Sequence, residues 1–186
     1  MLSDGNPAPT IRRATLADVE TVVALVHGAY RGDESRAGWT TEADLLDGRR
    51  TDRDEVTELL EQPSTRILLA EIGQAVTGTV LLRNEQSAGY IGMLAVKPTS
   101  QARGIGRLLL ATAEQMIAAE WQLSVARMTV IRQRADLIRW YARHGYRDTG
   151  RREPFPYGNE RYGIPRRPDL EFVVLEKSLP ARTHQG

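Results

Sequence analysis

The residues best suited to chemistry lie in one segment in the middle of the chain, Val96–Leu109, whose sequence is VKPTSQARGIGRLL. A predicted strand precedes this segment, and a long predicted helix begins within it. Backbone N–H groups at a helix start lack partners and carry partial positive charge. Gly104 and Gly106 would let an anion approach the backbone, and Arg103 and Arg107 add full charges. The segment therefore predicts a phosphate-binding site.

Several other kinds of site are excluded by residue type and spacing. No Gly-Lys-Ser/Thr follows, as a P-loop requires, and Leu109 stands where a dinucleotide fingerprint has its third glycine. The chain has no cysteine, which excludes a cysteine nucleophile and cysteine-ligated metals. Its three histidines are scattered without ligand spacing, so we expect no metal site.

Hydrophobic periodicity predicts the elements that position this segment. The predicted helices cover 15–29, 42–46, 51–62, 104–121 and 135–144. The predicted strands cover 10–13, 66–72, 76–83, 90–96, 127–131, 146–152 and 170–177. Short connections between 66 and 96 predict an antiparallel meander. A helical crossover joins strands 90–96 and 127–131, so we expect these two strands to be parallel.

Local signals sharpen some of these boundaries. Thr15 with Asp18, and Thr51 with Asp54, have the spacing of capping boxes at two helix starts. The stretch Glu153–Asp169 contains four prolines and two glycines and has no predicted element. A structureless loop of that length inside a compact domain is usually functional.

Length and composition indicate one ordinary domain. The chain has 186 residues, of which 41% are apolar and 26% charged. We expect an arm at 1–9, a domain at 10–179 and a tail at 180–186. No apolar run is long enough for a membrane helix, and the N-terminus lacks a basic region followed by an apolar one. These features favour a cytoplasmic protein without a membrane partner.

Charge is distributed unevenly along the chain. Residues 1–85 carry 9 Arg and 15 acidic residues, whereas residues 86–186 carry 14 Arg, 2 Lys and 9 acidic residues. This asymmetry indicates an anionic ligand for the second half. Codon bias is the alternative explanation, because the chain has only two lysines beside its many arginines.

The phosphate-binding segment resembles motif A of the GNAT acyltransferase superfamily, with matches at Gln101, Gly104 and Gly106. A second stretch, Leu137–Tyr146, is similar to the superfamily's second signature. The order and separation of the two signatures agree with the family, and the resemblance covers residues 10–179. It implies an α/β (mixed α+β) acyl-CoA N-acyltransferase fold: a mostly antiparallel seven-stranded sheet with a splayed parallel pair and helices on both faces.

A bacterial subgroup within this superfamily is similar to the chain in two further places. One is the Gly-Trp-Thr-Thr-Glu segment at 38–42, and the other is the Pro-Phe-Pro-Tyr-Gly loop at 154–158.

The resemblance implies that acetyl-CoA, or another short acyl-CoA, is the co-substrate and that no metal is needed. In the family, backbone N–H groups of motif A hold the pyrophosphate. The corresponding residues here are Arg103, Gly104, Ile105, Gly106 and Arg107, with Gln101 and Ala102 shaping the turn. The pantetheine arm would lie along the preceding strand, at Leu94, Ala95 and Val96.

The implied reaction is attack of a neutral amine on a thioester, which generates an oxyanion and then a thiolate. A backbone N–H near Leu94 or Ala95 would polarise the carbonyl. Tyr141 stands where the family keeps its general acid. An unperturbed phenol is a weaker acid than a thiol, so Tyr141 would donate a hydrogen bond to the thiolate rather than transfer its proton.

The general base is less defined by the resemblance. Some relatives place a glutamate where this chain has Tyr90, so a water relay or another carboxylate must serve. Glu42 and Glu71 are the candidates, and the alternative is an ordinary surface role for each. An asparagine common at the start of the second-signature helix is replaced by Arg134.

In the superfamily, irregular segments such as 30–42 and 153–168 wall the acceptor site. The residues of this kind here are Tyr30, Trp39, Glu42, Phe155, Tyr157 and Tyr162. The alternative is that these aromatic residues only anchor long loops onto the sheet.

We therefore expect an N-acetyltransferase acting on a primary amine of a small molecule, amino acid or peptide, by direct attack in a ternary complex. We expect no nucleic-acid or membrane partner, and a homodimer is compatible with the sequence. A catalytically inactive acyl-CoA sensor is the first alternative. A nucleic-acid binder is the second, because residues 127–167 hold 11 Arg against four acids, although over several elements and without a binding motif.

Overall fold

The computed structural model describes residues 7–31, 35, 41–101 and 103–180. Its strands are β1 Thr10–Arg13, β2 Leu46–Asp47, β3 Thr65–Ile72, β4 Ala75–Asn84, β5 Gly89–Val96, β6 Val125–Ile131, β7 Arg147–Pro154, β8 Ile164–Pro165 and β9 Glu171–Ser178. Its α-helices are α1 Val19–Tyr30, α2 Arg53–Glu61, α3 Ile105–Glu120 and α4 Ala135–Arg143. The predicted arm lies outside the described residues up to residue 6, and the predicted tail does so from residue 181.

Within the described residues, seven strands form one sheet in the order β1-β3-β4-β5-β6-β9-β7. Every neighbouring pair is antiparallel except β5 and β6. This parallel pair is joined only at Gly89 with Ala126 and at Tyr90 with Arg127. Beyond Tyr90 the two strands separate, because the ladder between them does not continue. The predicted mixed sheet with a splayed parallel pair is therefore confirmed.

A β-bulge deforms β5 where it leaves β6. The pairing with β4 shifts between Thr79 and Leu81, and Met93 has a φ of 48°, a left-handed conformation unusual for a non-glycine residue. Side chains of a regular strand alternate between faces. Here Ile91 and Leu94 share one core cluster although they are three residues apart. The extra residue of the bulge therefore shifts the alternation, so that the side chains after it face the side opposite to the one that a regular strand would give them.

Helices cover both faces of the sheet. Leu68 and Ala70 of β3 pack in the cluster that contains α3 and α4, whereas Ile67 and Leu69 pack in the cluster that contains α1 and α2. Helix α3 lies very close to the strands. A Cβ placed on Gly89 would stand 2.5 Å from the side chain of Ile117, so only glycine fits there.

Of the two predicted capping boxes, one forms and the other does not. Thr15 donates its N–H to Asp18 at 2.8 Å, as the first capping box predicts, and a 3₁₀ turn then leads into α1. The N-cap of α2 is Asp52, whose carboxylate accepts from the Glu55 N–H, so the predicted Thr51–Asp54 box is wrong.

The predicted helix at 42–46 is also wrong. It is one turn, in which the N–H groups of Leu45 and Leu46 both donate to the Glu42 carbonyl. The chain then enters β2, which pairs with β8 in a two-stranded sheet. The stretch 153–169 is therefore not structureless: pairing with β2 and a 3₁₀ turn at Glu160–Tyr162 order it.

The described residues contain neither a candidate membrane-spanning helix nor a candidate cluster of metal ligands. None of the helices there combines the length and apolar character that crossing a bilayer demands. Likewise, no group of three or more His, Cys, Asp or Glu in that part of the chain could hold a metal ion.

Candidate active site

Two cavities lie along the splayed strands. The first, which we call the α3 cleft, has a volume of about 540 Å³ and is lined by Val96, Gln101, Gly104, Ile105, Gly106, Arg107, Asp136, Trp140, Arg143 and His144. The second, the sheet pocket, has a volume of about 460 Å³. Its polar lining residues are Tyr30, Glu42, Arg50, Arg83, Glu85, Tyr90, Arg127, Thr129, Tyr141, Arg151, Glu153 and Tyr162.

The α3 cleft is built around the start of helix α3. Gly104 has a φ of 75°, a conformation that glycine adopts without strain. The first bond of the helix runs from the Leu108 N–H to the Gly104 carbonyl at 2.9 Å, so the N–H groups of residues 105–107 precede it. The Gln101 amide donates to the Val96 carbonyl at 3.1 Å and closes the turn. The cleft thus offers backbone donors to an anion.

The predicted cofactor residues divide between the two cavities. Six of them, Val96, Gln101, Gly104, Ile105, Gly106 and Arg107, line the α3 cleft, and Leu94 lines the sheet pocket. Ala95 is fully buried and its side chain packs on the α1 face instead. The Arg103 side chain is exposed and does not line the cleft. Ala102 lies outside the described residues.

Tyr141 lies in the sheet pocket with only 6% of its surface exposed. Burial, and then the neighbouring phenols of Tyr30 and Tyr90, raise the pKa of Tyr141 well above 10. Its hydroxyl has no hydrogen bond to any described residue. Tyr141 therefore stays protonated at neutral pH and can donate a hydrogen bond to a ligand.

Tyr30 lies at the end of α1 and contacts the bulged strand. Its hydroxyl donates a 2.7 Å hydrogen bond to the Leu94 carbonyl. Burial raises the pKa of Tyr30 to about 12, which keeps this donor protonated. The contact joins the first helix to the point where β5 leaves its parallel neighbour.

Glu42 lines the sheet pocket, but arginines occupy one of its oxygens. Its Oε2 lies 2.5 Å from Arg31 Nη1 and 4.0 Å from Arg50 Nε. Arg31 is 2% exposed, and burial lowers the pKa of its guanidinium. Glu42 Oε1 has no hydrogen bond to a described residue and can face a ligand. The other candidate base, Glu71, pairs with Arg12 at 2.7 Å and does not line the pocket.

Only some of the predicted acceptor residues meet in the sheet pocket. Tyr30 and Tyr162 line it together with Glu42. Phe155 is 4% exposed and packs with Leu46, Ile131 and Leu170, so it belongs to a core cluster. Trp39 lies outside the described residues.

Tyr157 does not line the pocket either, because its hydroxyl closes its own loop. The hydroxyl donates to the Arg167 carbonyl at 3.0 Å and accepts from the Leu170 N–H at 2.7 Å. For Phe155 and Tyr157, loop anchoring is thus the arrangement that the structure shows.

Sequence reasoning missed the polar wall that β4, β5 and β6 contribute. Arg83 pairs with Glu85 at 2.7 Å, and Arg127 pairs with Glu176 at 2.7 Å. The hydroxyls of Tyr90 and Thr129 lie 3.2 Å apart across the splayed strands. No spacing in the sequence marks these residues, because they come from strands that meet only in the folded sheet.

Sequence reasoning also missed the contribution of α4 to the α3 cleft. Asp136, Trp140 and His144 follow one another at intervals of four, so they share one face of the helix. Trp140 and His144 stack with ring centroids 4.0 Å apart. This four-residue spacing is visible in the sequence and could have predicted that these side chains line a common site. Tyr141 lies on the adjacent face of the same helix.

The chain is similar to known proteins in both sequence and fold. The family profile described as acetyltransferase (GNAT) domain matches residues 42–155. The fold is similar to the ribosomal-protein-S18-alanine N-acetyltransferase from Escherichia coli, with a TM-score of 0.69, 11% identity and coverage of 96% of this chain and 99% of that one. No curated protein matches the sequence.

Two further solved structures have the same fold. Ard1 from Thermoplasma volcanium superposes with a TM-score of 0.69 at 16% identity, covering 93% of this chain and 99% of that one. The yncA protein from Salmonella typhimurium, solved with its cofactor acetyl-CoA, gives a TM-score of 0.65 at 20% identity, covering 96% of this chain and 98% of that one.

Proposed function

The chain belongs to the GNAT acetyltransferase family, and on that premise we propose that it transfers an acetyl group from acetyl-CoA to a primary amine. The acceptor would be a small molecule, an amino acid or a peptide. The amine would attack directly while both substrates are bound.

One observation carries this proposal: the two cavities are adjacent along β5 and α4. Val96 lines the α3 cleft, and Leu94, two residues earlier, lines the sheet pocket. On α4, Trp140 lines the cleft and Tyr141 lines the pocket. Direct transfer requires two substrates bound side by side with their reacting atoms in contact. The arrangement supports a donor in the cleft and an acceptor in the pocket.

The α3 cleft fits the phosphates of a coenzyme A donor, which supplies the activated acetyl thioester. The N–H groups of Ile105, Gly106 and Arg107 would bind the pyrophosphate. A Cβ on Gly104 would have no atom of a described residue within 4 Å, its chain neighbours apart, so the described part of the chain leaves open space beside the turn. Arg107 and Arg143 add positive charge on its rim. The unpaired side of β5 beyond Tyr90 would bind the pantetheine arm as a neighbouring strand does.

Tyr141 would donate a hydrogen bond to the departing thiolate. An ordinary thiol has a pKa of about 8.5, and the pKa of Tyr141 is raised well above 10. Full proton transfer would therefore be unfavourable by more than about 2 kcal/mol, whereas a hydrogen bond from the buried phenol stabilises the charge as it develops. A backbone N–H at Leu94 or Ala95, beside the bulge, would polarise the acetyl carbonyl.

The acceptor amine must lose a proton before it attacks. We propose that Glu42 binds the ammonium through its free Oε1, and that the proton leaves through Glu42 or through water in the polar pocket. Glu85 and Glu153 also line this pocket and offer further carboxylates.

Three wider assignments complete the proposal. The chain belongs to the bacterial subgroup that combines the segment at 38–42 with the loop at 154–158. It is a cytoplasmic protein that acts without a nucleic-acid or membrane partner. A homodimer is compatible with its sequence.

The test is release of free thiol from acetyl-CoA across a panel of amines, amino acids and peptides, with the acetylated product identified by mass. Turnover of at least one amine that fails in Tyr141→Phe would support the proposal. Tight acetyl-CoA binding without turnover of any amine would favour the inactive sensor instead.

A further inference from the structure

The arginines of the sheet pocket differ in how well they are paired. Within the described residues, four of them line it. Arg83 and Arg127 each have a carboxylate oxygen at 2.7 Å. Arg151 has one at 3.7 Å and is more than half exposed. Arg50 has one only at 4.0 Å, beyond hydrogen-bond distance, although its side chain is just 27% exposed.

Among the described residues Arg50 has no close carboxylate partner, because Arg31 occupies the nearest one. Glu42 Oε2 is 2.5 Å from Arg31 and 4.0 Å from Arg50. Two guanidinium groups thus share one carboxylate, which leaves a surplus positive charge in the pocket wall. A guanidinium presents its donors in a planar fork that matches a carboxylate. None of the Arg50 donors has a hydrogen bond to a residue that the structure describes.

The position of Arg50 places that charge near the reacting atoms. Its guanidinium carbon lies 5.4 Å from the ring centroid of Tyr30. The hydroxyl of the same ring donates to the Leu94 carbonyl at 2.7 Å, at the bulge. The Arg50 guanidinium and the Leu94 carbonyl therefore both contact Tyr30, the first at its ring and the second at its hydroxyl. A small molecule can span the distance between them.

We propose that Arg50 binds an anionic group of the acceptor, and that the acceptor is an amine with a carboxylate close to its amino group, such as a free amino acid. This inference rests on the proposed acetyl transfer and narrows its substrate. A carboxylate entering a partly buried pocket needs a charged partner to offset its desolvation. Arg50 is the partner available inside the pocket. A peptide, whose carboxylate is remote from its N-terminal amine, would not use it.

The experiment compares amino acids with their primary amides, for example phenylalanine with phenylalaninamide and methionine with methioninamide, in the thiol-release assay with acetyl-CoA. We expect kcat/KM to be about 10- to 100-fold higher for the acids, the range expected for a hydrogen bond to a charged group. The amide has the less basic amine, so intrinsic reactivity at neutral pH favours the amide and a preference for the acid must come from the site.

Arg50→Gln should lower kcat/KM for the acids by the same factor and leave the amides unchanged, which brings the ratio close to one. Arg50→Lys should keep part of the preference, since it retains charge but loses the fork. Arg53→Gln, whose side chain is 73% exposed on α2, should leave the ratio unchanged.

Three results would overturn the inference. Equal kcat/KM for acid and amide in the unaltered protein would reject the carboxylate and leave the acetyltransferase function standing, without needing any variant. A ratio unchanged by Arg50→Gln in a protein with normal thermal stability would reject Arg50 as its source. Acetyl-CoA binding without turnover of any amine would reject the inference together with the proposed function.

Discussion

The hydroxyl of Tyr30 donates a 2.7 Å hydrogen bond to the carbonyl of Leu94, so the last residue of α1 holds the bulge of β5. These residues are far apart in sequence, and the contact forms only when α1 lies on the sheet. The contact therefore ties α1 to β5 in the stretch beyond Tyr90, where the ladder between β5 and β6 no longer continues.

Tyr141→Phe should separate catalysis from packing. The change keeps the buried ring and removes only the hydroxyl, which has no partner among the described residues. If the hydroxyl stabilises the thiolate, kcat and kcat/KM should fall together by about 10- to 100-fold, with acetyl-CoA affinity unchanged. Steady-state kinetics and calorimetric binding of acetyl-CoA test both parts.

Tyr146→Phe is the matched control for that experiment. Tyr146 packs edge-on against Tyr141 with centroids 5.7 Å apart, but its hydroxyl donates to Glu114 at 2.9 Å and does not line the pocket. Its loss should lower the free energy of unfolding by about 1 kcal/mol and leave kcat unchanged. Equal kinetic effects of the two variants would remove Tyr141 from the mechanism.

Arg107→Gln tests the phosphate site without straining the backbone. Substituting Gly104 would combine two effects, because its φ of 75° disfavours any side chain. Arg107 is exposed at the cleft, so we expect a several-fold weaker Kd for acetyl-CoA and a smaller dependence of Kd on salt. Arg139→Gln, on an exposed part of α4 away from the cleft, is the control. Identical Kd values for both variants would contradict the assignment of the cleft.

Glu42→Gln should affect stability as well as kinetics. The change leaves the buried Arg31 guanidinium without its carboxylate, which should lower the free energy of unfolding by about 3 kcal/mol. The KM for the amine should rise while acetyl-CoA affinity stays constant. Urea denaturation and kinetics measure the two effects. Glu20→Gln, in an exposed pair with Arg53, should change neither. A variant with a normal KM would show that Glu42 only holds Arg31.

Gly163→Ala should destabilise the wall of the sheet pocket more than Gly158→Ala does. Both glycines have positive φ, 96° and 83°, so both alanines incur backbone strain of about 1 kcal/mol. A Cβ on Gly163 would also lie 2.9 Å from the Asp47 carbonyl and 3.0 Å from Arg31 Nη2, whereas one on Gly158 meets nothing within 4 Å. Thermal unfolding should therefore show a clearly larger loss for Gly163→Ala. Equal losses would mean that the neighbours of Gly163 move aside without cost.

Much of the fold could be predicted because its signals are local. The periodicity of α3 and α4, the strands around them and the two glycines of the turn are all contiguous, and local sequence encodes each of them. The same holds for Tyr141, whose spacing to Gly145 and Tyr146 carries the family signature. The errors fell on Glu42–Leu46, Thr51 and the stretch 153–169. In the first and last of these, pairing of β2 with β8 decides the local conformation.

The sequence by itself determined the family, the crossover that makes β5 and β6 parallel, and the glycine-containing turn at the start of α3. Tertiary structure alone decided which side chains line the sheet pocket. It directs Phe155 into a core cluster and brings Arg83, Arg127 and Arg151 together from separate strands. It also leaves Arg50 without a close partner among the residues that the structure describes, because Arg31 occupies Glu42. The reason is physical: a helix start binds an anion through groups adjacent along the chain, whereas the charge of a pocket is the sum over side chains that only folding brings within range of one another.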